Sequence, residues 1–239
     1  MASQPAIQLS KVTKRFGYLP ALAGIDLSVQ VGTSLALFGP NGAGKTTLLH
    51  IIATLSKPSS GQVQIGGTDA LCEPDRVRHQ IGAVFHQTLL YDDLTAHENL
   101  QFYGRMYDLE GLPDRVASTL ERVGLSGRKD NKVREFSRGM KQRLAIARAT
   151  LHQPSILLLD EPFTGLDDAA RKILADLLLE WRGEARTICF TTHDLQNALA
   201  LSDRFLILNR GRIATQGETE DLDLQNLKTL YGKTIEGSN

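Results

Sequence analysis

Cysteine is nearly absent from this chain. Two occur among 239 residues, Cys72 and Cys189, with neither C-x-x-C nor ligand-type spacing. That scarcity excludes a disulfide scaffold and suits a reducing compartment. Cys189 lies in the apolar run TICFT and is expected to be a buried thiol. Net charge is absent as well: 27 Lys and Arg balance 27 Asp and Glu. Nothing therefore draws the chain as a whole to nucleic acid or an anionic membrane, although local basic patches stay open. No run approaches the roughly 20 apolar residues of a spanning helix. MASQPAIQLS has neither the basic start nor the apolar stretch of a secretory signal. Repeats, low-complexity tracts and clear linkers are missing too. The expectation is one sizeable α/β domain, with room for an inserted lobe, that does not cross a membrane by itself.

What is present falls into a clear order. AIQLSKV and ALAGIDLSVQ read as early strands, the second with Ile25, Leu27 and Val29 on one face. TSLALF is a continuous apolar run, as in a strand buried on both faces. A Gly-rich turn follows, then a helix over KTTLLHIIATL. SGQVQIGG reads as an edge strand and QIGAVF as a core strand. From Thr95 the pattern turns helical: Thr95 with Glu98 makes a capping box, and LPDRVASTLERVGL is a helix with Pro113 in its first turn. FSRGMKQRLAIARA is another, with Ser137 as its N-cap. Strand patterns return at SILLLD, RTICFTT and RFLILN, and NRGR (209–212) turns into a last strand around Ile213 and Ala214. A parallel-rich core thus frames a helical block over 88–153.

Two stretches carry phosphate chemistry. GPNGAGKTT, residues 39–47, matches G-x-x-x-x-G-K-[ST] between an expected strand and an expected helix. Gly39, Gly42 and Gly44 let backbone N–H groups turn inward around phosphates, Lys45 places a charge on them, and the Thr46 hydroxyl suits Mg²⁺. ILLLDEP, 156–162, is an apolar strand ending in two acids. Asp160 suits a metal-linked role, and Glu161 a general base that orients water. The helix start at Ser137 and Gly139, beside Arg138 and Lys141, is a second anion site. His50, His79, His86, His97 and His152 read as ordinary polar residues.

In this order the motifs resemble those of the ATP-binding-cassette (ABC) ATPases over almost the whole chain. FSRGMKQ resembles that family's signature motif, TGLD (164–167) its D-loop, His193 in TTHD its switch histidine and Gln87 in AVFHQ its Q-loop residue. Phe16 in KRFG falls where the family places an aromatic that stacks on adenine. The resemblance implies an α/β P-loop NTPase core with an antiparallel β edge region and an inserted helical subdomain. One domain would span 1–239, with 1–87 and 154–239 as core and 88–153 as the helical signature subdomain. It implies ATP held by Phe16, Gly39, Pro40, Asn41, Gly42, Ala43, Gly44, Lys45, Thr46 and Thr47. Ser137, Gly139 and Asp167 would add contacts to nucleotide. Thr46, Gln87 and Asp160 would hold Mg²⁺, and Lys45, Glu161 and His193 would be catalytic. The signature departs from the usual pattern at Arg138, where a second glycine is common, and at Met140, where Gln is. If position 138 required φ > 0, arginine there would cost about 1 kcal/mol.

The resemblance also implies partners: a second copy of the chain in an ATP-sandwich dimer and separate transmembrane subunits, with no nucleic acid. The place would be the cytoplasmic face of a cell membrane. The 88–110 stretch, with Leu89, Leu90, Tyr91 and Phe102 exposed, is the expected contact with a membrane subunit. FSRGMKQRLAIARA, DEPFTGLD and TLLYDDLTAHENLQFYGRMYDL together resemble the ATPase of the haem exporters of cytochrome c maturation. Drug or antibiotic exporters, and an iron–sulphur-assembly ATPase, stay open as alternatives.

Overall fold

The computed structural model describes residues 4–220 and 222–236. The expected span 1–239 therefore includes residues 1–3, 221 and 237–239, which lie outside the described residues.

Three apolar runs, β3 (Ser34–Phe38), β7 (Ile156–Leu159) and β8 (Thr187–Thr191), are buried along their whole length. A strand covered on both faces has no polar side to show, so these runs do not alternate. With β6 (Ile81–Val84), β9 (Arg204–Asn209) and β10 (Arg212–Glu218) they form a six-stranded sheet in the order β10-β9-β3-β8-β7-β6. Its strands are parallel except β10, which pairs antiparallel with β9. A second, antiparallel sheet has the order β2-β1-β4-β5, from β1 (Ile7–Phe16), β2 (Leu19–Val29), β4 (Ser60–Ile65) and β5 (Thr68–Asp69). Ile25, Leu27 and Val29 are buried together on β2, as their spacing requires.

Two strand assignments exchange places. SGQVQIGG was expected at an edge, yet β4 pairs with β1 on one side and the two-residue β5 on the other. QIGAVF was expected inside its sheet, yet β6 is the last strand and pairs only with β7. It reads as a core strand because a helix covers it. Gly82 lets that helix approach so closely that a Cβ there would collide with the Ala149 carbonyl.

Between β6 and β7 the chain forms α3 (Ala96–Met106), α4 (Leu112–Arg122) and α5 (Arg138–Thr150). Thr95 and Glu98 make the full capping box on α3, and Ser137 caps α5 through Met140 N at 3.2 Å. The buried Asn99 was not anticipated. Its amide bonds the backbone of Tyr91 twice, at 2.8 and 3.0 Å, and of Thr95 at 2.9 Å, and so shapes the lead-in to the lobe. The other helices are α1 (Lys45–Ile52), α2 (Pro74–Arg78), α6 (Asp168–Gly183), α7 (Leu195–Leu201) and α8 (Leu224–Glu236). The parallel sheet separates two apolar clusters. Ala36 and Phe38 of β3 join the lobe, Phe190 and Trp181 on one side. Leu35 and Leu37 join α1 and the antiparallel sheet on the other.

Candidate functional site

The loop between β3 and α1 has the backbone its glycines imply. Gly39, Gly42 and Gly44 have φ of +145°, +78° and +106°. At Gly39 a Cβ would also collide with the Leu208 carbonyl, and at Gly44 it would lie 2.6 Å from the Ala21 carbonyl. These two glycines therefore serve close packing as well as turning. Gly211 N donates to the Ala43 carbonyl at 3.0 Å, so the 209–212 turn braces the loop from outside. Lys45 is 7% exposed, and its Nζ donates to the carbonyls of Gly39 at 2.7 Å and Pro40 at 3.1 Å. Burial lowers its pKa, against the raising effect of Glu161 and Asp160. A cation so placed, with N-terminal N–H groups of α1 beside it, fits a polyphosphate.

The acids stand where β7 ends. Thr46 Oγ1 donates to Asp160 Oδ2 at 2.7 Å. From β8, Thr191 Oγ1 donates to Asp160 Oδ1 at 2.7 Å and accepts from Glu161 N at 2.7 Å. Glu161 has φ +50°, a left-handed backbone that costs energy for any residue with a side chain. The Thr191 bond to its N–H holds it there. Its carboxylate is then caught twice: His193 Nε2 lies 2.6 Å from Oε1, and Thr164 Oγ1 donates to Oε2 at 3.1 Å. Thr46 and Asp160 offer two oxygen ligands at the edge of the phosphate loop. That set fits Mg²⁺, a small hard cation that takes most of its shell from water and phosphate oxygens.

The remaining candidates divide. Phe16, 56% exposed, lines a cleft of about 540 Å³ with Asn41–Thr47 and Glu161. Lys14 Nζ lies 4.9 Å from its ring centre. Ser137 is exposed and Gly139 half-buried at the start of α5. Arg138 is its first helical residue and is not among those with positive φ, so the arginine there carries no left-handed strain. Met140 packs its side chain against the lobe's apolar cluster. Asp167 caps α6, accepting from Ala170 N at 2.8 Å. Gln87 is exposed. His86 and Thr88 beside it line a cleft of about 800 Å³ with Thr46, Asp160 and Glu161, whereas Gln87 makes no hydrogen bond to any of these three. Arg138, Lys141 and Gln142 of α5 line the same cleft from the lobe. Thr191 and Thr164 were missed in the sequence. A threonine ending an apolar strand is common, and no local signal marks it as a bridge between acids.

A P-loop, an aspartate bonded to its threonine and an adjacent glutamate held by a histidine define a nucleoside-triphosphate-hydrolysing enzyme. The chain belongs to the ABC transporter family, which it matches over residues 22–164. It is 36% identical, over 90% of its length and 91% of the relative, to the ABC transporter ATP-binding protein NatA of Bacillus subtilis. It is 40% identical to the sulfate/thiosulfate import ATP-binding protein CysA of Synechococcus elongatus, over 90% of this chain and 63% of that one. The daunorubicin resistance ATP-binding protein DrrA3 of Streptomyces coeruleorubidus is 36% identical, over 91% of this chain and 69% of that one. The dimeric post-hydrolysis structure of the ATP-binding cassette MJ0796, bound to ADP and Pi, superposes with TM-score 0.83 at 29% identity, covering 90% of this chain and all of that one. The chain is an ATP-binding, ATP-hydrolysing motor subunit of an ABC transporter, with the P-loop core, antiparallel sheet and helical lobe expected of it.

Proposed function

We propose that the chain hydrolyses Mg-ATP with Glu161 as base, works as a symmetric pair and drives an exporter. The observation that carries the chemistry is the continuous path Thr46–Asp160–Thr191–Glu161–His193, which joins the phosphate loop to the base. Lys45 and the 39–47 backbone bind the phosphates, and Phe16 stacks on the adenine ring. Thr46 and Asp160 would hold Mg²⁺, and Gln87 would have to turn inward from 85–88 to join them. When bound, the metal supplies charge neutralisation on the transferring phosphoryl group. Glu161 accepts the proton of the attacking water, and His193 keeps that carboxylate aimed. Positioning and electrostatics do most of the work in such transfers.

Ser137 and Gly139 would meet the phosphate held by a second copy, and Asp167 would add a contact to nucleotide, an arrangement supported by the dimeric cassette above. The lobe is taken as 88–153, against a core of 1–87 and 154–239. Its surface would meet a membrane subunit at the inner face of a membrane. Leu89, Tyr91 and Phe102 are 56%, 48% and 39% exposed, although Leu90 is half-buried. No helix among the described residues is long and apolar enough to cross a membrane. Export, with haem as cargo, rests on the 88–109, 136–149 and 160–167 stretches. A drug or antibiotic cargo is supported by the DrrA3 likeness.

The deciding experiment mixes two defective chains. Ser137→Arg and Lys45→Ala are each expected to be inactive. Sites shared between chains leave one intact composite site in the mixed dimer, and activity returns. Glu161→Gln is expected to bind Mg-ATP and pair while losing about 10²–10⁴ in rate. A Glu161→Gln chain that hydrolyses ATP normally, or stays monomeric at saturating Mg-ATP beside its membrane subunit, refutes the scheme. Transport by membrane vesicles of known orientation decides direction and cargo.

A further inference from the structure

We propose that Arg138 is a positioning residue for the catalytic base, fastening the start of the signature helix to the loop that carries Glu161 within one chain. The proposal rests on the reading of Glu161 as the base.

Arg138 is exposed at the first position of α5, where its side chain has room to extend into water. It lies instead across Gly165. A Cβ added at Gly165 would sit 2.5 Å from Arg138 Cζ and 2.6 Å from Nε, so the guanidinium occupies the place of a side chain. Gly165 has φ +73°, where glycine is at ease. Gln142, one turn further along the same helix face, donates from Nε2 to the Pro162 carbonyl at 3.3 Å. Between them Gly139 lies close to the start of α6: a Cβ there would be 3.4 Å from Ala170 Cβ. One face of α5 therefore grips the 162–165 loop at both ends.

That loop begins at the strained Glu161, and Thr164, next to the gripped Gly165, donates to the Glu161 carboxylate at 3.1 Å. A shift at Gly165 thus reaches the base through a single residue, Thr164. Among the described residues Arg138 has no ion-pair or hydrogen-bond partner, so what it makes is a packing contact rather than a charge pair. A flat guanidinium can lie against a backbone that lacks a Cβ, and the compact ammonium of lysine cannot reproduce this.

The test is a double-mutant cycle in steady-state ATP hydrolysis with the full chain: Arg138→Ala, Gly165→Ala and both. Alanine at 165 displaces the guanidinium and adds backbone strain, but the strain is the same in both backgrounds and cancels. Each single change should lower kcat with KM for ATP within about twofold of wild type, and Gly165→Ala should cost about fivefold less once Arg138 is gone, a coupling usual for residues in contact. Arg138→Lys should behave like Arg138→Ala. Additive effects overturn the proposal, as does full kcat in Arg138→Lys, which would make charge the agent. Loss of ATP-dependent pairing when Arg138→Ala is added to Glu161→Gln also overturns it, because Arg138 would then act on the phosphates. Failure of the base reading is seen separately, as a Glu161→Gln chain with wild-type turnover.

Discussion

Replacing Thr191 by valine tests the route by which the fold aims Glu161, the proposed base. Valine matches threonine in shape and suits a strand, so the buried β8 loses only a hydroxyl. Two bonds of 2.7 Å go with it, from Thr191 to Asp160 Oδ1 and from Glu161 N to Thr191. Each group left without a partner costs about 1–3 kcal/mol when buried. Asp160 and Glu161 are only half-buried, so water recovers part, and a total of about 2 kcal/mol is expected. For a chain of this size that lowers Tm by about 4–8 °C. The larger effect should be kinetic. Freed from Thr191, the φ +50° backbone of Glu161 relaxes. A base displaced by about 1 Å loses on the order of 10² in kcat. Thr191→Ser keeps the hydroxyl and should keep most of the rate. Melting by calorimetry and phosphate release measure the two effects. A valine variant with wild-type Tm and kcat within twofold of normal would refute the reasoning.

Other consequences are as direct. Burial pushes the His152 pKa down to about 4 from 6.5, with Tyr107 stacked on its ring at 4.1 Å. The unfolded chain then binds the extra proton first, so stability is full above pH 6.5 and falls as pH drops towards 4, by up to about 1.4 kcal/mol per pH unit. His152→Phe keeps the stacking and should flatten that part of the urea-midpoint profile; an unchanged profile counts against it. The Cys189 thiol is fully buried and pushed up to about 12, while Cys72 is exposed. A thiol reagent at neutral pH should label one cysteine in the native chain and two in denaturant, and rapid native labelling of both would contradict the burial. The 88–110 surface is better probed at Leu89 and Tyr91 than at the neighbouring acids. Asp92 accepts from Lys141 of α5 at 2.7 Å and Asp93 pairs with Arg134, just before that helix, at 3.3 Å, so reversing their charge would also disturb the signature helix and the turn that leads into it. Photo-crosslinkers at Leu89 and Tyr91 should capture a membrane subunit in cells, and failure to do so would weaken the docking assignment.

Much of this protein was legible in the sequence because its chemistry is packed into consecutive residues. The left-handed turns of 39–47 are dictated by three glycines. The buried strands show as unbroken apolar runs, and the caps at Thr95 and Ser137 need only their own helices. Such features depend on backbone preference and local hydrogen bonds, so their signal lies within a few residues. Tertiary structure alone decided the rest. Sheet order made β4 interior and β6 an edge, since an apolar run records burial but not what does the burying. The same order laid Thr191 beside Asp160, 31 residues away in the chain. Packing of α5 on the loop after Glu161 set Arg138 over Gly165, and the fold enclosed His152, which as a lone histidine had read as ordinary. These partners come from different elements, and a hydroxyl or guanidinium in a sequence does not say which distant group will meet it.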